Sequence, residues 1–382
     1  MARHEDASEI LRDPERYSSD ATRFVTNGAA PARDFASKLK LIAQLIPLAV
    51  RNLRVTRVMA AKNIISLDPP EHTRMREMVK RGFTPRGVRD WEPRIREIAE
   101  GLAASMLEKE RFDFVADFAA PLPVTVIIEM LGIDVEHANE FKRWSDQFIG
   151  GLFGPKSRLG LGKSGAFEAM EWLSGHIRQV AKERRSRPRN DLISALVEAQ
   201  HEKDSLTEPE LLFFAVGLLV AGNETTTRLI AAMIDELLRH PDQCRDVEAD
   251  RSLVEGVVEE TLRLAGPAQM TLRRATTSTT VGGVEIPRNG MLAVLLASAN
   301  RDEKKWGDDA EQFDVRRDPR GHLAFSSGPH FCLGAGLARL EGRLALETLI
   351  DALPSLRIRE AAEIAPSFVA RGITRLEVEK AT

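Results

Sequence analysis

The chain has 382 residues, 43% hydrophobic and 29% charged, with 54 basic residues against 57 acidic ones for a formal net charge of −3. That length allows a large buried core, and so even a charge balance excludes binding to nucleic acid through bulk positive charge. Two cysteines, Cys244 and Cys332, exclude a disulfide framework and fit a reducing cytoplasm.

The opening stretch, MARHEDASEILRDPERYSSD, is charged from Arg3 onward and does not read as a secretory leader. Leu39–Val50 is apolar with basic flanks, but Pro47 and its short length favour an ordinary loop-and-helix region over a membrane-surface segment. Glu92–Glu110 places Ile95, Ile98, Leu102 and Met106 at helical spacing. Pro121–Ile133 predicts a short apolar helix that ends at Gly132. Six glycines and a proline between Gly150 and Gly165 predict a connection between two helices, the second with a basic tail running to Arg187 before Pro188. Leu211–Gly222 is the longest apolar run and too short to cross a bilayer, so a buried core helix is expected and no transmembrane segment. Val254–Leu264 predicts another helix, stopped at Gly266-Pro267. Strand signals come late: Thr279–Leu296 reads as strand, a Gly282-Gly283 hairpin turn, strand, a second turn at Pro287–Gly290, and strand. Many helices with small β-sheets predict a mainly α (α+β) fold, and no linker splits residues 1–382, so a single domain is expected.

Cys332 stands in FSSGPHFCLGAGLAR, Phe325–Arg339, beside His330 and just ahead of a helix start. A structural zinc site needs four Cys or His ligands and finds too few here. A nucleophilic cysteine has His330 as a possible base, although the surrounding glycines and apolar residues build a pocket wall. An inert buried cysteine is the default for any single Cys. Phe325, Gly328, His330, Cys332, Gly334, Leu337, Ala338 and Arg339 stand at the spacing F-x-x-G-x-H-x-C-x-G followed by x-x-L-A-R. This segment resembles the haem-binding loop of cytochromes P450, departing at Ser326, where many members carry Gly. In that family the cysteine, here Cys332, is the axial ligand of haem iron, and its thiolate pushes electron density that favours O–O cleavage. Glycines let the backbone pass close to a flat cofactor, and the following helix N-terminus helps hold the sulfur as an anion.

Other segments agree in order. Glu260 and Arg263 lie three apart on a helix, where an exposed pair would mean little. Ahead of the Cys segment they resemble the family's E-x-x-R pair, with Arg317 as the bridging arginine in preference to Arg316. AGNETTT ends the apolar run, and Glu224 and Thr225 face water if the helix merely turns amphipathic there. By resemblance they are the family's acid–alcohol pair, the catalytic residues that manage protons. His72 and Arg76 are four apart on a helix and so able to reach one anionic target. With Arg273 and His330 they match family positions that bind haem propionates; Phe325, Gly328 and Gly334 complete the cofactor-binding set. Arg74, Lys80, Arg81, Arg86 and Arg89 form either a solvated face or a docking patch for an acidic iron–sulfur protein.

The resemblance implies a haem-thiolate monooxygenase of the bacterial type. Its cofactor is haem b (heme b) with O2 as co-substrate, and its electrons come ultimately from NAD(P)H through a separate ferredoxin-type partner. The substrate is a lipophilic small molecule, hydroxylated or epoxidised. Pocket walls are expected from Arg23–Ser66, Gly150–Gly165, Val216–Thr226 and Ala265–Leu272, with Val216, Val220, Ala221, Ala268, Met270 and Leu272 making them apolar. A cytoplasmic monomer is expected. Family members carry a further segment ahead of the one matched by Arg3–Asp20, so the first sheet is expected to be incomplete. The alternatives are a haem–thiolate enzyme of different outcome and a truncated haem-binding or interaction protein without turnover.

Overall fold

In the computed structural model, which describes residues 2–20, 53–153, 165–200, 206–365 and 371–381, helices make up most of the described chain. The first half contains α1 (His4–Arg12), β1 (Tyr17–Ser18), α2 (Leu53–Met59), α3 (Glu71–Val79), α4 (Pro85–Asp90), α5 (Glu92–Leu107), β2 (Arg111–Asp113) and α6 (Pro121–Met130). There follow α7 (Ala138–Phe153), α8 (Ala166–Ser186), α9 (Leu192–Glu198), α10 (Glu208–Arg239), α11 (Pro241–Ala249) and α12 (Val254–Ala265). Strands β3 (Thr271–Ala275), β4 (Thr279–Val281), β5 (Val284–Ile286) and β6 (Met291–Val294) precede α13 (Leu296–Ala299) and α14 (Glu303–Trp306). The chain closes with α15 (Ala335–Leu349), β7 (Leu356–Ile358), β8 (Glu363–Ile364), β9 (Ile373–Arg375) and β10 (Glu377–Lys380). None of the described helices is long and apolar enough to cross a membrane.

The apolar run at Leu211 is only the front of α10, which extends for 32 residues. A capping box starts it: the Thr207 hydroxyl accepts from the Glu210 backbone, and the Glu210 carboxylate accepts from the Thr207 N–H. Burial continues past Gly222 through Thr226, Thr227 and Leu229 to Leu237, so the helix does not turn amphipathic after the glycine. It packs on α6, α8, α12 and α15 and forms the axis of the helical body. The buried stripe of α5 is Ile95, Ala99, Ala103 and Met106, whereas Ile98 and Leu102 are only partly buried. α5 packs on α15 and on α6.

β4 and β5 form the expected hairpin across Gly282 and Gly283, whose φ values of 56° and 80° suit glycine. β6 instead leaves that hairpin and pairs antiparallel with β3, Thr271 opposite Val294, in a sheet of order β1-β3-β6. The driving force is burial: Leu292 and Val294 enter a core cluster with Ile10, Leu11, Tyr17 and Ala275. β2, β10 and β7 form a second antiparallel sheet. Leu39–Val50, and most of the glycine-rich connection after Phe153, lie outside the described residues, as does part of the expected Arg23–Ser66 wall.

Candidate active site

The turn that carries Cys332 departs twice from ordinary backbone. Ser326 and Gly328 have φ of 63° and 69°, in the left-handed region. A Cβ on Gly328 would stand 2.5 Å from the Leu11 carbonyl oxygen of α1, so glycine is required there by sterics as well as by conformation. The Cys332 N–H donates to the Phe325 carbonyl at 2.9 Å, closing the loop just ahead of α15. Cys332 is exposed, yet protein surrounds its sulfur on most sides: it faces a cavity of about 520 Å³ lined in part by Arg76, Phe331, Arg339 and Leu340. Burial pushes the free thiol's pKa up, opposed by the backbone N–H groups of Gly334 and Ala335 and by Arg76 and Arg339. A Cβ on Gly334 would meet nothing within 4 Å, so the backbone there borders open space.

Four cationic or imidazole groups gather nearby from three separate parts of the chain. His72 on α3 is buried, and its ring lies 4.1 Å from that of His330, centroid to centroid. Both Nε2 atoms are buried without a hydrogen-bond partner among the described residues. Burial, with His72 and Arg273 close by, lowers His330 to about 3, and burial with Arg76 lowers His72. Arg273 on β3 is 5% exposed and donates through Nη1 to the Leu272 carbonyl at 2.8 Å and the Thr271 hydroxyl at 3.1 Å. Its own burial lowers its pKa to about 10. Arg76 donates to the Phe331 carbonyl at 2.6 Å, tying α3 to the sulfur loop. Buried polar atoms that lack a partner are costly, and these ring nitrogens, with Arg273 beside them, fit a site for the carboxylates of a haem.

On α10 the Thr225 hydroxyl donates to the Ala221 carbonyl at 2.6 Å. Ala221 is exposed although the helix around it is sunk in the core, which marks an opening at this turn. Val220, Ala268, Met270 and Leu272 are likewise partly accessible. Val216, expected on that wall, instead faces the core at 1% exposure. Glu224 pairs with Arg228 one turn on and lies 3.6 Å from Lys142 of α7, which also binds Asp146. Burial raises the Asp146 carboxyl against the pull of Lys142. Sequence reasoning missed these partners; only the i,i+4 spacing of Glu224 and Arg228 signalled one of them. It also missed Glu341 on α15, a fully buried carboxyl raised by burial to about 8 and hydrogen-bonded with Thr226.

Behind the loop, Glu260 and Arg263 are each 0% exposed, which rules out a solvated pair. Arg263 meets both carboxylate oxygens at 2.7 Å, and its remaining donors reach the carbonyls of Asn300, Ala310 and Gln312. Arg317 donates to Glu260 at 3.2 Å, whereas Arg316 turns outward to Asp246. Every donor of the buried arginine that the core encloses is thereby matched.

A thiol held by backbone amides, next to buried donors that want carboxylates, is the setting of a haem–thiolate protein. The family model described as Cytochrome P450 matches residues 163–354. The cytochrome P450 monooxygenase PikC of Streptomyces venezuelae is 41% identical over 300 residues, 78% of this chain and 70% of that protein. The crystal structure of the myxobacterial cytochrome P450 CYP267B1 with myristic acid superposes with a TM-score of 0.84 at 35% identity, covering 100% of this chain and 89% of that one. CYP109E1 from Bacillus megaterium, solved with testosterone, gives 0.83 at 31% identity, covering 100% and 92%. The chain belongs to the cytochrome P450 family. It is an oxidoreductase of the haem-thiolate monooxygenase type, which uses O2 and ferredoxin-delivered electrons on lipophilic molecules.

Proposed function

We propose that Cys332 is the axial thiolate of this monooxygenase, and that Glu224 and Thr225 handle its protons. The observation that supports this reading best is the pair of buried, unpartnered Nε2 atoms of His72 and His330 near Arg273, brought from α3 and β3 to the loop in which His330 stands two residues before Cys332. In this reading His72, Arg76, Arg273 and His330 hold the propionates, and Phe325, Gly328 and Gly334 shape the loop around the macrocycle. When bound, haem supplies oxygen activation and insertion into a C–H or C=C bond. The backbone N–H groups of Gly334 and Ala335 stabilise negative charge on the sulfur. Thr225 can turn its hydroxyl proton from the Ala221 carbonyl toward the opening. Glu224 exchanges protons with the outside through Lys142 and Asp146, which reach it from α7.

Residues 1–382 act as one P450-like domain in the cytoplasm, and the basic surface at Lys80 and Arg89 receives the acidic ferredoxin-type partner. Because relatives were solved with testosterone and with myristic acid, steroids and fatty acids are the substrate classes to try first. Reduction of the purified protein under carbon monoxide should give the red-shifted band of thiolate ligation, and Cys332→Ser should abolish it. Retention of that band by Cys332→Ser would refute the assignment. A substrate among the two classes should shift the spin state and drive oxygen consumption.

A further inference from the structure

Glu259, the residue just before the buried Glu260, has no part in the chemistry described above, yet it sits at a junction of three segments. It leaves α12 on the side of the sulfur loop, and its carboxylate accepts from Arg339 of α15 through both oxygens, Nε at 2.5 Å and Nη2 at 3.0 Å. His322, at the entry to the loop, lies with Nε2 3.1 Å from the same carboxylate. Because the His322 Nδ1 accepts from the Ala324 N–H at 3.2 Å, the ring proton is on Nε2 and is donated to Glu259. Burial opposes ionisation of Glu259, but His322 and Arg339 outweigh it and hold the carboxyl at about 2.

What this carboxylate restrains is the Arg339 guanidinium, whose Cζ lies 4.6 Å from the centroid of the Phe325 ring. Phe325 in turn supplies the carbonyl that receives the Cys332 N–H. Arg339 also lines the cavity onto which Cys332 opens, and its charge favours the thiolate. Two consequences meet at one group: the salt bridge fixes where the cation sits, and the carboxylate offsets how much of its charge the sulfur feels.

We propose that Glu259 is a positioning residue that presses Arg339 onto Phe325 and tempers its positive field at Cys332, thereby setting the reduction potential of the haem. This rests on Cys332 as the axial ligand, and the two claims separate experimentally. The carbon monoxide band of the wild-type holoprotein reports ligation, whereas a mediated redox titration without substrate or electron-transfer partner reports Glu259.

Glu259→Gln removes the compensating charge and should raise the midpoint, increasing the ferrous-to-ferric ratio at fixed poise by up to about tenfold, which is about 59 mV for one electron. Glu259→Asp keeps the charge and should stay near wild type. Arg339→Gln removes the cation and should move the midpoint the opposite way, with the double variant returning between them. If Glu259→Gln shows the thiolate band and a wild-type midpoint, the proposal fails. If Glu259→Gln does not retain haem, Arg339→Gln decides alone, and an unchanged midpoint there overturns it. A wild-type protein with no thiolate band would instead overturn the ligand assignment.

Discussion

At Ser326 the backbone is left-handed with φ 63°, and the hydroxyl is buried with no partner among the described residues. The side chain therefore costs twice, once in conformation and once in desolvation, which is the physical reason glycine suits this position. Ser326→Gly should stabilise the protein by about 1 kcal/mol in chemical denaturation, the relief exceeding the extra chain entropy of glycine. Two residues on, the opposite holds: Gly328→Ala forces a methyl group against the Leu11 carbonyl and the Arg12 Cα, at 2.5 and 2.9 Å. Since both obstacles are backbone, that variant should lose about 2–4 kcal/mol and hold haem poorly, as absorbance during thermal melting would show. The motif spacing in the sequence singled out the residues of this loop. It said nothing of which positions are strained, because φ depends on how α1 meets the loop.

Between elements, α10 and α15 meet across a carboxyl that burial keeps protonated. Glu341 is raised to about 8 in the fold, against an ordinary value of 4.5. The folded state thus holds one proton more than the unfolded chain between those values. Stability should fall as pH rises through that window, by at most about 1.4 kcal/mol per unit, and level off above it. Glu341→Gln should flatten this slope and be the more stable of the two at pH 8, measured by denaturation across pH 5–9. Elements of this kind were only partly legible. The apolar run at Leu211 revealed a core helix, but its continuation to Arg239 depends on α12 and α15 covering Thr226 to Leu237. The third late strand was recognised, yet its partner β3 was not, because pairing is decided by the core face and not by chain proximity. Lys142 stayed hidden as a partner of Glu224 because the two are far apart in sequence and only packing of α7 on α10 joins them.

For the molecule as a whole, the Glu260–Arg263–Arg317 cluster ties α12 to the long irregular stretch between α14 and the sulfur loop. Arg263→Ala takes the bidentate partner from a fully buried carboxylate, leaving it Arg317 and the Asp314 N–H, and strips several carbonyls of their donor, so a loss of about 3–5 kcal/mol, or failure to accumulate as folded protein, is expected. Arg316→Ala should change stability by less than about 0.5 kcal/mol, because its pair with Asp246 is exposed on both sides. Parallel denaturation of the two variants checks both. α1 has a wider reach than its nine residues suggest. His4 binds Asp302 and lies within hydrogen-bond distance of the Gly321 carbonyl, and Arg12 donates to the Ser327 hydroxyl at 3.0 Å across 315 positions of chain. A ribosome delivers the second surface some 315 positions after the first, so the pigment's cradle cannot take its final shape until that later stretch has emerged and closed back on α1. Newly made chains would then wait, colourless, on that closure, and iron-porphyrin capture would follow it rather than guide it.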